Sequence, residues 1–225
     1  MREIVLDTET TGLDPIQGHR LVEVACIELV NHVPSGRTFH RYCDPQRDMP
    51  EEAFQVHGLS SEFLTGQPLF RDIADDFLEF LGDAIVVAHN GSFDLAFLNA
   101  ELARARRPTL PQERLVDTLE LARKRYPGAA ASLDALCRRF AIDLSVREKH
   151  GALVDCELLA AVYLELIGGR QPGLVLSNGS GGEAIRDGKP VRRERKEPRP
   201  HSPTAAELEA HGAFVATLED PVWQA

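Results

Sequence analysis

Thirty-six residues between Gly168 and Pro203 decide how much of this 225-residue chain can build a core. They hold seven Gly, five Pro and no aromatic residue. A stretch in which one residue in three breaks regular structure cannot bury enough apolar surface to offset the entropy of ordering it. It reads as a flexible linker. The chain then divides into a folded domain over 1–169, a linker over 170–203 and a short tail over 204–225.

Charge narrows the function classes. Lys and Arg total 25 against 35 Asp and Glu, a formal net charge of −10. A generic basic nucleic-acid binder is excluded, because its footprint is an excess of Lys and Arg. The linker half Glu183–Arg199 carries seven basic and four acidic residues, a local +3, so the rest sums to −13. Any polyanion must be handled locally, with metal ions or with a partner. No apolar run approaches the roughly 20 residues of a membrane span. Glu3, Asp7 and Glu9 interrupt the start of the chain where a signal peptide would be apolar. Cys26, Cys43, Cys137 and Cys156 form no Cys-x-x-Cys pair. They read as reduced thiols of a cytoplasmic protein rather than zinc ligands.

Periodicity supplies the fold class. Glu3–Leu6, Arg20–Val30 and Thr38–Tyr42 read as strands, the last two joined through a turn at Pro34-Ser-Gly36. Phe70, Ile73, Ala74, Phe77, Leu78 and Leu81 recur at helical spacing. Ala84–Ala88 reads as a buried strand, and Phe93–Arg104 as a helix presenting Phe93, Ala96, Phe97, Ala100 and Ala103 on one face. A short strand at Leu115-Val116 and helices over Thr118–Arg125, Ser132–Phe140 and Ala152–Ile167 follow, with Ser132 as an N-cap. Strands first and alternating elements afterwards predict an α/β domain with a mixed sheet flanked by helices.

Three acidic segments fall on this scaffold. The first strand ends in Asp7-Thr-Glu9-Thr-Thr-Gly12. Residues two apart share a strand face, so Asp7 and Glu9 project together. Neighbouring carboxylates resist ionisation unless a cation joins them, and oxygen donors suit Mg²⁺ or Mn²⁺ better than zinc. Alone, such a pair reads first as a solvated acidic loop. His89-Asn-Gly-Ser-Phe-Asp94 follows the central strand, which puts Asp94 near a helix start at the carboxyl edge of the sheet. Complementing the helix dipole is the simpler reading of that acid. His150-Gly-Ala-Leu-Val-Asp155 opens the last helix. Together the three can meet at one site.

In order and spacing these motifs resemble the DEDD exonucleases of the histidine subtype, over roughly residues 2–167. The resemblance implies an RNase H-like fold. It implies two divalent cations, Mg²⁺ or Mn²⁺, held by Asp7, Glu9, Asp94 and Asp155, with Asp7 bridging. His150 would then accept the proton of the attacking water, for which a reference pKa of about 6.5 is suited. It further implies a pocket for the 3′-terminal nucleotide, formed by Asp7, Thr8, Glu9, Thr10, Glu52, Val56, His57, His89, Phe93 and Asp155. Core packing is the alternative for Val56 and Phe93, and a structural imidazole for His57 and His89. Asp117 reads as structural.

The stretches Glu52–Leu59, Ser132–Leu136 and His150–Asp155 resemble the proofreading subunits of bacterial replicative polymerases, as does the tail from Ala206 to Ala225. That likeness implies 3′→5′ removal of mismatched nucleotides from single-stranded or frayed DNA ends. It also implies a place in the replisome, with the polymerase catalytic subunit as partner. An RNA-trimming exoribonuclease and a non-catalytic adaptor are the alternatives. In the tail, Ser202-Pro203 or the box Thr204-x-x-Glu207 caps a helix. It carries Leu208, His211, Val215 and Leu218 at 3, 4, 3 spacing, ends at Asp220-Pro221 and precedes Trp223. An apolar stripe on a lone helix suits docking on the polymerase. Gln171-Pro-Gly-Leu174-Val-Leu176 resembles peptides that bind bacterial sliding clamps.

Overall fold

A computed structural model describes residues 1–145, 150–168 and 202–217, and the backbone of 185–186 and 189–190. The chain divides into two compact units, Met1–Gly173 and Leu174–Ala225.

The first unit is built on a mixed sheet. Strand β1 (Arg2–Thr10) pairs antiparallel with β2 (Leu21–Val30), which pairs antiparallel with β3 (Val33–Tyr42). On its other side β1 runs parallel to β4 (Ile85–Ala88), and β4 parallel to β5 (Leu115–Asp117). The order is β3-β2-β1-β4-β5. β1 and β2 are apolar on both faces because both faces are covered. Ile4, Leu6, Val24 and Cys26 meet α3 (Phe70–Leu81) and α4 (Ser92–Arg104). Val5, Ala25, Ile27 and Val87 meet α5 (Thr118–Arg125), α6 (Leu133–Arg139) and α7 (Ala152–Leu166). Phe70, Phe77 and Phe97 are almost fully buried, each worth about 1.5–3 kcal/mol of transfer free energy.

Two expectations are corrected. The β2–β3 turn lies at Asn31-His32, with φ of 51° and 67°, the left-handed pair that matches strand twist in two-residue hairpins. Pro34-Ser-Gly36 lies inside β3, opposite a register irregularity between Ile27 and Leu29. Helix α4 buries Leu95, Leu98 and Leu102 with Phe97, whereas Ala96 and Ala103 are exposed. Three leucines at helical spacing bury more apolar area than alanines, so they set the rotation. The short helices α1 (Glu51–His57) and α2 (Ser61–Leu64) left no periodic signal in the sequence.

In the second unit, Ile185–Arg186 and Lys189–Pro190 form a two-residue antiparallel pair, β6 and β7. Otherwise the expected linker lies outside the described residues, as do Gln171, Leu174, Leu176, Leu218 and Trp223. Helix α8 runs Ala205–Val215 and is capped by Thr204, not Ser202. The Thr204 hydroxyl accepts the Glu207 N–H, and Glu207 accepts the Thr204 N–H at 2.7 Å. The reciprocal box satisfies two backbone donors, where Ser202-Pro203 would leave Glu207 unused. The helix stops at Val215, short of the predicted Asp220-Pro221 end. Of the predicted stripe, Val215 is buried, while Leu208 and His211 are exposed.

Candidate active site

The site begins where β1 outruns its parallel neighbour. β4 pairs only with Glu3–Val5, so the strand beyond that point has a bare edge toward α4. Asp7 and Glu9 share one face there, with Asp7 half-buried and Glu9 at 9% exposure. Thr8 faces the other way and donates its hydroxyl to Asp94 Oδ1 at 2.7 Å. Backbone N–H groups of Thr8 and Asp94 also serve that carboxylate.

Asp94 reaches this position through a tight turn. Asn90 adopts φ 61° and donates its N–H to Asp117 Oδ1 at 3.0 Å. At Gly91 a Cβ would sit 2.7 Å from a Leu115 methyl and 2.8 Å from Ala88 Cβ, so glycine alone lets α4 start this close to β4 and β5. Asp117 also accepts the Leu119 N–H at 2.8 Å as the N-cap of α5, a structural role.

Helix α7 supplies the remaining groups. Asp155 is 4% exposed, and its Oδ2 lies 3.3 Å from Nδ1 of His150, whose side chain is half exposed. Ligand atoms of Glu9, His150 and Asp155 all fall within 4.8 Å of one another. Burial raises the Asp7 carboxyl well above its ordinary value, and Asp94, Glu9, Asp155 and Glu23 push it further. Burial likewise raises Asp94 from 3.8 to about 7, against the hydrogen bonds from Thr8 and the backbone. Buried carboxylates that repel one another and hold protons are the environment a divalent cation relieves. The oxygen-rich donor set fits Mg²⁺ or Mn²⁺. Asp7, Glu9, Asp94 and Asp155 are the residues that would hold such ions, and the ions would neutralise their charge.

Two hollows flank these acids. One, of about 520 Å³, is lined by Thr8, Glu9, Thr10, Glu52, Val56, His57 and Phe93, seven of the predicted nucleotide-pocket residues. Val56 is 48% exposed, so it is not core. Phe93 is half-buried, its ring 5.0 Å from that of Phe97. His57 is buried at the end of α1 and accepts the Leu59 N–H on Nδ1 at 3.0 Å, where Gly58 turns with φ 76°. The Thr10 hydroxyl donates to Gly12 O at 2.6 Å. Both threonine hydroxyls therefore donate within the chain. Leu13, 85% exposed, and His19 also line this hollow. Sequence reasoning missed them, since only their place just after the acidic strand marks them.

The other hollow, of about 320 Å³, is lined by Asp7, His89, Ser132, Asp134, His150 and Asp155. His89 lines this hollow beside Asp7 and Asp155. It leaves β4 toward α5, with Nδ1 2.9 Å from the Thr118 hydroxyl, rather than toward Val56 and Phe93. Burial lowers its pKa and favours the neutral ring.

This sheet, with its acids at the carboxyl edge of β1, defines an exonuclease-class domain. The exonuclease family RNase_T matches residues 4–163. Solved exonucleases share the fold. The nuclease domain of 3′hExo, a DEDDh family member, bound to rAMP superposes with TM-score 0.64 at 15% identity, covering 74% of this chain and 91% of that one. Exonuclease X in complex with 5′ overhanging duplex DNA gives 0.57 at 24%, with the same coverage. The chain belongs, within that class, to the family of DNA polymerase III subunit epsilon. Its relative in Rickettsia conorii is 56% identical over 174 residues, 76% of each chain. That in Escherichia coli is 44% identical over 177 residues, 75% of this chain and 72% of the relative.

Proposed function

We propose that this chain is the 3′→5′ exonuclease that proofreads DNA synthesis as a subunit of bacterial DNA polymerase III. The observation that carries the reading is the convergence of Asp7, Glu9, Asp94, Asp155 and His150 at the carboxyl edge of β1. Two divalent cations, when bound, supply charge neutralisation and activation of water for in-line phosphodiester hydrolysis. The chain's own groups do the rest. Asp7, placed among the other carboxylates, would hold the ions together with Glu9, Asp94 and Asp155. His150, half exposed beside Asp155, accepts the proton of the attacking water. Val56 and Phe93 take the face of the 3′-terminal base, and Glu52 and His57 the sugar side. A groove that grips single nucleotides prefers a frayed mismatched end, because unpairing a mismatch requires less energy.

The tail 204–225 binds the catalytic alpha subunit of the polymerase, and 171–176 touches the sliding clamp. Both partners place the protein in the cytoplasmic replisome. An acidic chain holds free DNA poorly. The assembly, rather than this subunit, therefore supplies the grip on duplex.

The test compares degradation of a mismatched primer, single-stranded DNA and short RNA in Mg²⁺ or EDTA. The reading expects mismatched and single-stranded DNA to be shortened from the 3′ end in Mg²⁺ only. Preferential loss of RNA would replace it with an RNA-trimming activity. Deleting 204–225 should leave single-strand degradation intact and abolish co-purification with the alpha subunit. Retained co-purification would refute the tail assignment. Substituting Gln171 and Leu174 should weaken clamp binding, and unaltered affinity would sink that motif.

A further inference from the structure

Helix α7 carries His150 just before it and Asp155 in its first turn, yet its N-cap is Gly151, which offers no side-chain cap. The first turn of a helix leaves backbone N–H groups unpaired. Here the side-chain cap comes from far away in sequence. Glu23, near the start of β2 and directly across from Glu9, accepts the Ala152 N–H on Oε2 at 3.3 Å. Its Oε1 accepts from His40 Nε2, on the edge strand β3, at 2.6 Å. The His40 ring packs edge-on against Tyr42 at 4.9 Å, and Tyr42 against Phe63 of α2 at 4.9 Å. Glu23 is 3% exposed and Ala152 fully buried, so the link is shielded from solvent competition. A carboxylate aimed at a helix N-terminus also meets the positive end of its dipole.

An acid buried beside Asp7, Glu9 and Asp155 adds repulsion, since Glu23 is among the groups that push the Asp7 carboxyl upward. The fold keeps it there and clamps both its oxygens. We propose that Glu23, held by His40, is a positioning pair. It seats the start of α7 against the sheet, fixing His150 and Asp155 relative to Asp7 and Glu9. Glu23 acts through α7, and the link is non-local, joining residues 129 apart in sequence.

The inference rests on the catalytic reading of His150 and Asp155. The experiment measures kcat and KM on single-stranded DNA for the full chain and for Glu23→Ala, Glu23→Gln, His40→Ala and, in parallel, His150→Ala. Misplacing catalytic groups by about 1 Å lowers turnover by about 100-fold. Glu23→Ala should therefore reduce kcat about 10–100-fold, with KM within about two-fold because the nucleotide groove is untouched. Glu23→Gln keeps an oxygen for the Ala152 N–H and should recover most of kcat. His40→Ala, on an edge strand that tolerates truncation, should lower kcat less than Glu23→Ala. Wild-type kcat in both Glu23→Ala and His40→Ala, while His150→Ala is inactive, would overturn the positioning pair alone. So would a Gln variant as slow as Ala. An active His150→Ala would overturn the catalytic reading and this inference with it.

Discussion

The two hollows beside β1 are built from consecutive residues of one strand, yet they are different materials. The hollow holding Asp7, His150 and Asp155 is walled by titratable groups. The hollow holding Thr8, Glu9 and Thr10 is walled largely by Val56, Phe93, Leu13 and Ala53, with His57 fixed by a backbone N–H. Asp7 and Thr8 leave the strand on opposite faces, whereas Glu9, on the face of Asp7, lines the Thr8 hollow, so the acids stand between the two. The lesson is a separation of tasks. Under the proposed function, one side serves charge and proton transfer and the other holds an apolar base face. Substitutions on the first should act on turnover, and those on the second on KM.

The largest effect should come from Asp94→Asn. It preserves the Thr8 hydrogen bond and removes a ligand charge, so excision should fall below detection. Its effect on stability is opposite in sign. The Asp94 carboxyl, raised from 3.8 to about 7, holds its proton more tightly folded than unfolded. The stability this contributes is complete below about pH 4 and is lost as pH rises through about 7 in metal-free protein. In EDTA at pH 8, Asp94→Asn should melt above the wild type, and the gap should close toward pH 4. Equal melting temperatures throughout would show that the buried charge is already compensated.

His150→Ala comes next. Loss of a general base lowers kcat by about 10²–10⁴-fold, with KM nearly unchanged. A rise in KM alone would move His150 to the binding side. Phe93→Ala should do the reverse. Base stacking is worth about 1–3 kcal/mol, which predicts a KM increase of about 5–160-fold with kcat nearly retained. A collapse of kcat instead would merge the two hollows into one functional unit. The smallest effect belongs to the tail. Thr204→Ala removes a cap worth about 1 kcal/mol, so α8 should lose helicity by circular dichroism while nuclease activity stays unchanged.

Much of this was legible because chemistry interrupts patterns. Asp7 and Glu9 end an apolar strand, Asp94 opens a helix after a buried strand, and Ser132 and Thr204 announce caps. Each is local. What escaped was non-local or nearly patternless. The hairpin turn used Asn31-His32, which lacks the glycine that flags such turns. Helix α1 has seven residues, too few to display a period, though Glu52 and His57 on it were identified by resemblance. The side on which His89 falls depends on Thr118, 29 residues later. Glu23 was hidden in a mostly apolar strand, and only the register with Glu9 and the contact with α7 give it meaning.

The central claim is that four carboxylates on β1, α4 and α7 form one divalent-cation site that hydrolyses 3′ ends. Its most direct test pairs calorimetric Mn²⁺ titration of wild type and Asp7→Ala with 3′-nucleotide release from a mismatched primer. The account predicts two ions per wild-type chain, fewer in a folded Asp7→Ala, and release abolished in that variant as in EDTA. Undiminished release by Asp7→Ala, or release by the wild type in EDTA, would contradict it.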